Sequence, residues 1–308
     1  GFTGFNAAEA IVLSDAITRA TAETAMAATT AGVTATISDT LANFVQLTET
    51  ALHAFTYQVS ETTVDAANVL LADARSTVAI DLSNVTSVTG DYDEIQDMYQ
   101  AGGFASTNHN AASPVTLTGL GNEAISADDT DITVAEANIL DGFTSGAVTA
   151  TIATGVESVL DGLTGAGNAY TLNVADDSSV DITALLSLNT KTTAAVNLAL
   201  VDTDNATLLT GTYSEIKSLF SMAQNGEFSN LAGDLPITVE DTNISVSQAN
   251  EINALTTGAV TATISTGDMS TLNGLEGTGN VYAITVSDTS GDMGELNALN
   301  AKTTGTLT

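Results

Sequence analysis

The sequence predicts a repeat protein, a β-solenoid or α/β-solenoid in which short parallel strands alternate with short helices. The first observation is a long internal repeat. Residues 132–153, ITVAEANILDGFTSGAVTATIA, recur with an offset of 112 as residues 244–265, ISVSQANEINALTTGAVTATIS. The second is an anchor, Val-Thr-Ala-Thr-Ile, which occurs three times, at 33–37, 148–152 and 260–264. The third is the pattern of residues that follows each anchor.

Each anchor is expected to form a strand, because Val and Ile alternate with Ala and the β-branched Thr. After the third anchor, Met269, Leu272 and Leu275 recur every three residues. This spacing predicts a short α- or 3₁₀-helix whose start is capped by Thr266 or Asp268. We call one such strand, together with the helix that follows it, a strand–helix segment. These segments are about 21–30 residues long, and each must stack on the next to bury its apolar side chains.

The segments are nested in a longer repeat of about 112–121 residues, which predicts the domain organisation. We expect an N-terminal helical segment or cap over 1–30, because residues 7–29 are rich in Ala and predict a long helix. Three further divisions follow the anchors: a first long repeat over 31–146, a second over 147–258 and a third, partial repeat over 259–308. Insertions are expected at 101–113 and 225–234, where Gly, Asn and Ser collect.

A string of β-sandwich domains is the rival fold, since about 112 residues is a suitable length for one sandwich. The helical spacing after most strands disfavours it.

The charge of the chain excludes some partners. It carries 5 basic and 37 acidic residues, for a formal net charge of −32. Nucleic acid is excluded as a partner because binding it depends on neutralising phosphates with Lys and Arg. No run of 18 uninterrupted apolar residues occurs, so we expect no membrane insertion. The acidic residues repel one another, and salt or divalent cations should relieve this repulsion.

Catalysis is not expected. The chain has no Cys and two histidines, His53 and His109. His53 takes the place that Asn168 and Asn280 hold in the other copies, which indicates a turn residue. A Ser-His-Asp or Cys-His set cannot be assembled at repeating positions.

Calcium is the predicted ligand. Three turns place aspartates at alternate residues, and oxygen-rich turns suit a cation that takes six to eight oxygen ligands. The candidate ligands are Asp91, Asp93, Asp129, Asp131, Asp202 and Asp204. The alternative is that these aspartates terminate strands and cap helices by binding local backbone amides.

The repeated passages at 132–153 and 244–265, followed by NAYTLNVAD and NVYAITVSD, resemble the repeats of large cell-surface and adhesin-like proteins of marine cyanobacteria and related bacteria. The resemblance covers most of residues 130–308. It implies an extracellular, calcium-rich, structural setting without catalytic residues.

Repetition and resemblance together predict a secreted structural protein at the cell surface. It would form a surface layer, fibre or adhesin stalk by stacking its repeats, and would self-associate end to end into a filament or layer. The alternative is an extracellular binding module with calcium-stabilised repeats, which adheres to glycans or to a cell surface. Its candidate binding loop is the insertion at 101–113.

Overall fold

The structure is a computed structural model that describes residues 8–47, 53–73, 80–101, 117–175, 178–201 and 208–308. It divides into two compact halves, 1–151 and 152–308. Both are α/β, with sheets of parallel strands that alternate with helices along the chain. The α/β and parallel character predicted from the repeats is therefore confirmed.

The N-terminal half contains short strands and mostly short helices. Its strands are β1 (Ile11–Val12), β2 (Val33–Asp39), β3 (Ala54–Val59), β4 (Thr63–Asp65), β5 (Ile80–Asp81), β6 (Ser87–Gly90), β7 (Leu117–Thr118), β8 (Ala124–Ala127) and β9 (Val148–Thr151). Its helices are α1 (Arg19–Ala28), α2 (Leu41–Phe44), α3 (Ala66–Asp73), α4 (Tyr92–Ala101) and α5 (Val134–Asp141). The strands pair in the orders β1-β2-β3-β5-β7 and β4-β6-β8-β9.

The C-terminal half follows the same plan. Its strands are β10 (Ala169–Thr171), β11 (Ser179–Asp181), β12 (Val196–Asn197), β13 (Leu208–Gly211), β14 (Phe228–Ser229), β15 (Ile237–Val239), β16 (Val260–Thr263) and β17 (Val281–Ala283). Its helices are α6 (Glu157–Leu160), α7 (Ile182–Lys191), α8 (Tyr213–Gln224), α9 (Val246–Asn253), α10 (Met269–Leu272) and α11 (Met293–Asn300). One sheet has the order β11-β13-β15-β16-β17, and β12 pairs with β14.

The anchors form strands as predicted: they lie in β2, β9 and β16. The helix predicted after the third anchor is α10, and its cap is Asp268, whose side chain accepts a hydrogen bond from the Thr271 N–H. Met269, Leu272 and Leu275 are all buried. The three-residue spacing thus correctly located an apolar helix face.

Several segments carry two strands where the sequence analysis expected one. β5 and β6 both lie between α3 and α4, and they belong to different sheets. The chain turns between them at Ser83, whose N–H donates a hydrogen bond to the Asp81 side chain. The same doubling occurs at β7 with β8, β12 with β13, and β14 with β15.

Three other expectations change. The predicted long helix over 7–29 is wrong in extent, because β1 precedes α1 and pairs with β2. The predicted insertion at 225–234 contains β14, which pairs with β12, so it is not wholly irregular. Residues 102–113 of the other insertion lie outside the described residues.

The β-sandwich alternative is wrong, because the strands pair in parallel and helices lie between them along the chain. The boundaries at 30, 146 and 258 stay predictions.

Aliphatic side chains form the core of each half. Within the strands, buried Val, Ile, Leu and Ala residues alternate with more exposed neighbours, as in the burial of Val148 and Ala150 on β9. Phe55, Tyr170 and Tyr282, at equivalent places in the repeats, are also buried. They belong to the core and do not form an exposed ligand platform.

Candidate functional site: polar contacts between segments

Two of the predicted calcium ligands meet at one helix terminus. Asp91 accepts a hydrogen bond from the Glu94 N–H at 2.8 Å and so caps α4. Asp129 belongs to the following segment, yet its Oδ2 accepts from the N–H of Tyr92, the first residue of α4, at 2.7 Å. Both carboxylates therefore bind backbone amides at the positive end of a helix.

The other predicted ligands are placed differently. Asp93 and Asp131 are exposed. Asp202 and Asp204 lie outside the described residues. Within the described ranges, the structure holds no group of three or more His, Asp or Glu side chains arranged to bind a metal ion. Calcium binding stays a prediction, which is tested below.

The contact made by Asp129 recurs along the chain. In five helices a carboxylate of the next segment accepts a hydrogen bond from the first helical N–H, over 2.6–3.1 Å. These pairs are Asp39 with Arg19, Glu61 with Leu41, Asp129 with Tyr92, Asp241 with Tyr213, and Asp288 with Met269. A carboxylate here satisfies an amide that has no partner within its own helix, and the helix dipole favours its charge. Acidic residues thus join consecutive segments.

Hydrogen bonds also favour the ionised form of two carboxylates, Asp39, which binds the preceding helix, and Glu215, which belongs to the capping box of its own helix α8. The Asn43 side chain and backbone amides lower the pKa of Asp39 below 3.8, and Thr212 lowers the pKa of Glu215 below 4.5. A depressed folded-state pKa means that the unfolded chain binds the proton more readily. Their contribution to stability is therefore present above the unfolded-state pKa and is lost as the pH falls through the folded-state value.

Four buried threonines and the half-buried Thr144 make a second kind of contact between segments. Their hydroxyls donate to a backbone carbonyl of the preceding segment at 2.5–2.7 Å and accept from the N–H two residues later. The donor–acceptor pairs are Thr29 with Glu9, Thr144 with Glu123, Thr192 with Tyr170, Thr256 with Leu235, and Thr303 with Tyr282. These contacts were not predicted from the sequence, although Thr-Thr or Thr-Ser followed by Ala or Gly recurs at these places.

Three of these turns end in a glycine that lies against the preceding segment. A Cβ added to Gly146, Gly258 or Gly305 would lie 2.3–2.4 Å from a backbone carbonyl oxygen of that segment. This separation is far inside van der Waals contact. The close approach of two backbones therefore requires glycine here.

His53 and Asn280 each accept a hydrogen bond from the first N–H of the anchor strand in the preceding segment. The Nδ1 of His53 accepts from the Val33 N–H at 3.1 Å, and the Oδ1 of Asn280 accepts from the Val260 N–H at 2.9 Å. Both side chains are buried. The predicted turn residue is thus a buried acceptor for the preceding anchor strand.

Removing the hydroxyl group of Tyr170 or of Tyr282, both in the core, gives a matched pair of variants. The Tyr170 hydroxyl accepts from the Asn168 side chain at 3.1 Å, whereas the buried Tyr282 hydroxyl has no hydrogen-bond partner among the described residues. Burial raises the pKa of Tyr282 to about 12, so the hydroxyl stays protonated. We expect Tyr282→Phe to leave stability unchanged or raise it by about 1 kcal/mol, and Tyr170→Phe to cost about 1 kcal/mol. Urea unfolding followed by circular dichroism measures both. Equal losses would contradict the difference in bonding.

Rows of hydroxyl and carboxyl groups, most of them half-buried, cross two sheets. In the N-terminal half the paired residues are Asp65, Thr89, Ser126 and Thr149. In the C-terminal half the corresponding row is Asp181, Thr210, Thr238 and Thr261. Adjacent members are about 4.8 Å apart, the spacing between paired strands. Each row presents polar oxygen atoms at a regular spacing.

None of the helices in the described ranges combines the length and apolar character needed to span a bilayer. Comparison of the chain with protein-family models, curated proteins and solved structures gave no match.

Proposed function

We propose that this chain is a non-catalytic structural protein of the cell surface, in which strand–helix segments stack as an α/β-solenoid and serve as a spacer in a layer, fibre or stalk. The observation that carries the proposal is the direction of the polar contacts. Carboxylates reach back to the first helical amide of the preceding segment, and threonine hydroxyls reach back to its carbonyls. Each segment therefore holds the one before it in register.

These contacts also give the polar side chains a structural role. Thr256 and Thr303 are buried and bind backbone groups of a neighbouring segment. Buried polar groups are stable only when they are hydrogen-bonded, so the chain uses them where segments must align. Repeated contacts of this kind hold each segment against its neighbour along the chain.

The location of the protein on or inside the cell tests this proposal. Antibodies raised against the purified chain should label intact, unpermeabilised cells of the source organism, and shearing should release the labelled material. An antibody against a cytoplasmic protein, which should label cells only after permeabilisation, is the control. Labelling by the first antibody that also requires permeabilisation would overturn the cell-surface role.

Calcium binding at α4 has a separate test. If Asp91, Asp93, Asp129 and Asp131 bind calcium, calcium at 100 times its Kd should stabilise the fold by about 2.7 kcal/mol, whereas sodium at equal ionic strength should not. Asp131→Asn should then reduce the calcium-dependent rise in the unfolding midpoint. Asp129→Asn should in addition cost up to about 1 kcal/mol in EDTA, because Asn keeps an acceptor for the Tyr92 amide but removes the negative charge that the helix dipole favours. A midpoint that calcium leaves unchanged would exclude calcium binding at these four aspartates and leave Asp91 and Asp129 with their capping contacts alone.

A glycan-binding role is the second candidate, and the two rows of hydroxyl and carboxyl groups favour it. Regularly spaced hydroxyl and carboxyl oxygens can bind the hydroxyls of an extended polysaccharide. Affinity electrophoresis through gels that contain neutral polysaccharides tests this role. The role is supported if the wild-type protein is retarded and Thr238→Val and Thr89→Val each abolish the retardation without changing the unfolding midpoint. Wild-type protein that is not retarded would exclude the role for those polysaccharides.

A further inference from the structure

The C-terminal half contains an open cavity of about 300 Å³, formed by α8, β14 and the residues that follow β14. Its walls are mostly apolar and include Phe220 and Ala223 on α8, Phe228 on β14, and Leu231. We call it the Phe220 cavity. The Phe220 side chain is only half-buried, although an aromatic ring gains free energy when it is fully removed from water.

The corresponding place in the N-terminal half is filled. The passages GDYDEIQDMY and GTYSEIKSLF align at an offset of 121, so Tyr99 on α4 is the counterpart of Phe220. Tyr99 is fully buried. Its ring stacks on that of Phe143 with the centroids 4.9 Å apart, and its hydroxyl donates to the carboxylate of Glu123.

Both partners of Tyr99 are replaced in the C-terminal copy. Leu255 stands where Phe143 stands in the earlier copy, at an offset of 112. Leu235 stands in place of Glu123, because its backbone carbonyl accepts the equivalent threonine hydroxyl. The C-terminal copy thus lacks the ring and the carboxylate that contact Tyr99, and its own ring, Phe220, lines an open cavity instead.

Two carboxamides accompany the apolar walls. The exposed residues Gln224 and Asn230 also line the cavity. Asn230 has a φ of 60°, in the left-handed region, where the counterpart after β7 is Gly119 with a φ of 88°. Asparagine is more strained than glycine in this conformation, but its Nδ2 donates to the Asn197 Oδ1 at 2.8 Å, which orients the carboxamide. None of the described residues that line the cavity is charged, although the chain has a net charge of −32.

We propose that the Phe220 cavity binds one pyranose ring of a neutral glycan. A pyranose has a face of C–H groups that packs on an aromatic ring such as Phe220, and hydroxyls that bind carboxamides such as those of Gln224 and Asn230. Ligand sites commonly combine apolar and aromatic walls with a few polar groups that orient the ligand. The charge also selects a neutral sugar, because the acidic chain repels an anionic one and the cavity offers no carboxylate to a cationic one. The proposal rests on the glycan-binding role, the second candidate above, and places it at a site apart from the two rows.

Saturation-transfer difference NMR with neutral hexasaccharides of glucose, mannose or xylose, at millimolar concentration, tests the site. We expect at least one of these probes to receive saturation from the protein, most strongly at the C–H protons of one sugar ring. Phe220→Ala should abolish the transfer. Ala223→Leu should abolish it as well, because the larger side chain fills the cavity and leaves Phe220 in place. Ser221→Ala, at an exposed position on α8 outside the cavity, is the matched control and should bind like the wild type.

Asn230→Gly separates the contribution of the carboxamide from that of the ring. Glycine suits the left-handed turn, as Gly119 does in the N-terminal half, so the variant should fold. In a titration with the same probe it should bind about fivefold more weakly, the effect of one lost hydrogen bond.

Three results would overturn the site: no transfer to any neutral probe, transfer that persists in Ala223→Leu, or transfer only to a charged probe such as oligogalacturonate. Thr238→Val and Thr89→Val decide between the two places. Transfer that these variants abolish and that Phe220→Ala keeps would locate glycan binding at the rows and remove this inference. Circular dichroism of each variant reports the fold separately, and failure of the site leaves the proposed cell-surface role intact.

Discussion

Gly258→Ala is expected to lower the free energy of unfolding by about 3 kcal/mol. The added Cβ would lie 2.3 Å from the carbonyl oxygen of Asp234 and 2.6 Å from the carbonyl carbon of Leu235. Both are backbone atoms, so no side-chain rotation relieves the overlap. The two segments must separate, which weakens the Thr256 hydrogen bond to Leu235 and the pairing of β15 with β16. Urea unfolding followed by circular dichroism measures the loss.

Gly233→Ala is the matched control. It lies in the same half, and an added Cβ at Gly233 would meet no atom within 4 Å. Its backbone also lies outside the left-handed region, so Ala fits there and restricts the unfolded chain. We expect a change of less than about 1 kcal/mol, in the stabilising direction. Equal losses in the two variants would show that the backbones do not approach closely at Gly258.

Gly146→Ala and Gly305→Ala extend the comparison to other turns of the same kind. Their added Cβ atoms would lie 2.4 Å from the carbonyl oxygens of Glu123 and Tyr282. A loss similar to that of Gly258→Ala is expected at each position. The requirement for glycine would then be a property of the interface between segments, and not of one site.

Regular periodicity predicted the elements that form an apolar face over several residues. β16 alternates buried Val260 and Ala262 with threonine, and α10 buries Met269 and Leu272. β5 is only two residues long, and a pattern of period two cannot be recognised over Ile80 and Asp81. The second strand of such a segment is defined by its partners in space, which the local sequence does not record.

The contacts between segments were hidden for a different reason. Thr256 binds the backbone carbonyl of Leu235. Every residue has such a carbonyl, so the sequence does not show which residue is the partner.

The aspartates were ambiguous for another reason. A carboxylate oxygen that caps a helix is chemically the same group that binds calcium, and only the position of Asp129 beside the Tyr92 amide reveals the capping contact.

Asn280→Ala is expected to cost about 2–3 kcal/mol, because it removes a buried side chain that binds two groups at once. Asn280 is 1% exposed; its Oδ1 accepts from the Val260 N–H at 2.9 Å, and its Nδ2 donates to the Asn253 side chain at 2.8 Å. Alanine leaves the Val260 amide buried without an acceptor, and each unsatisfied buried group costs about 1–3 kcal/mol. Asn297→Ala, at an exposed position on α11, should change stability little.

His53 allows the same interaction to be tested with a different side chain. Its Nδ1 accepts a hydrogen bond from the Val33 N–H at the equivalent place, so an imidazole and a carboxamide can both bind the first amide of an anchor strand. His53→Ala should therefore destabilise the N-terminal half, and His53→Asn should recover much of that loss by supplying an Oδ1 acceptor, as Asn280 does. Urea unfolding followed by circular dichroism separates the two. If His53→Asn is as unstable as His53→Ala, then ring packing against Phe55, whose centroid lies 5.5 Å away, outweighs the hydrogen bond at this position.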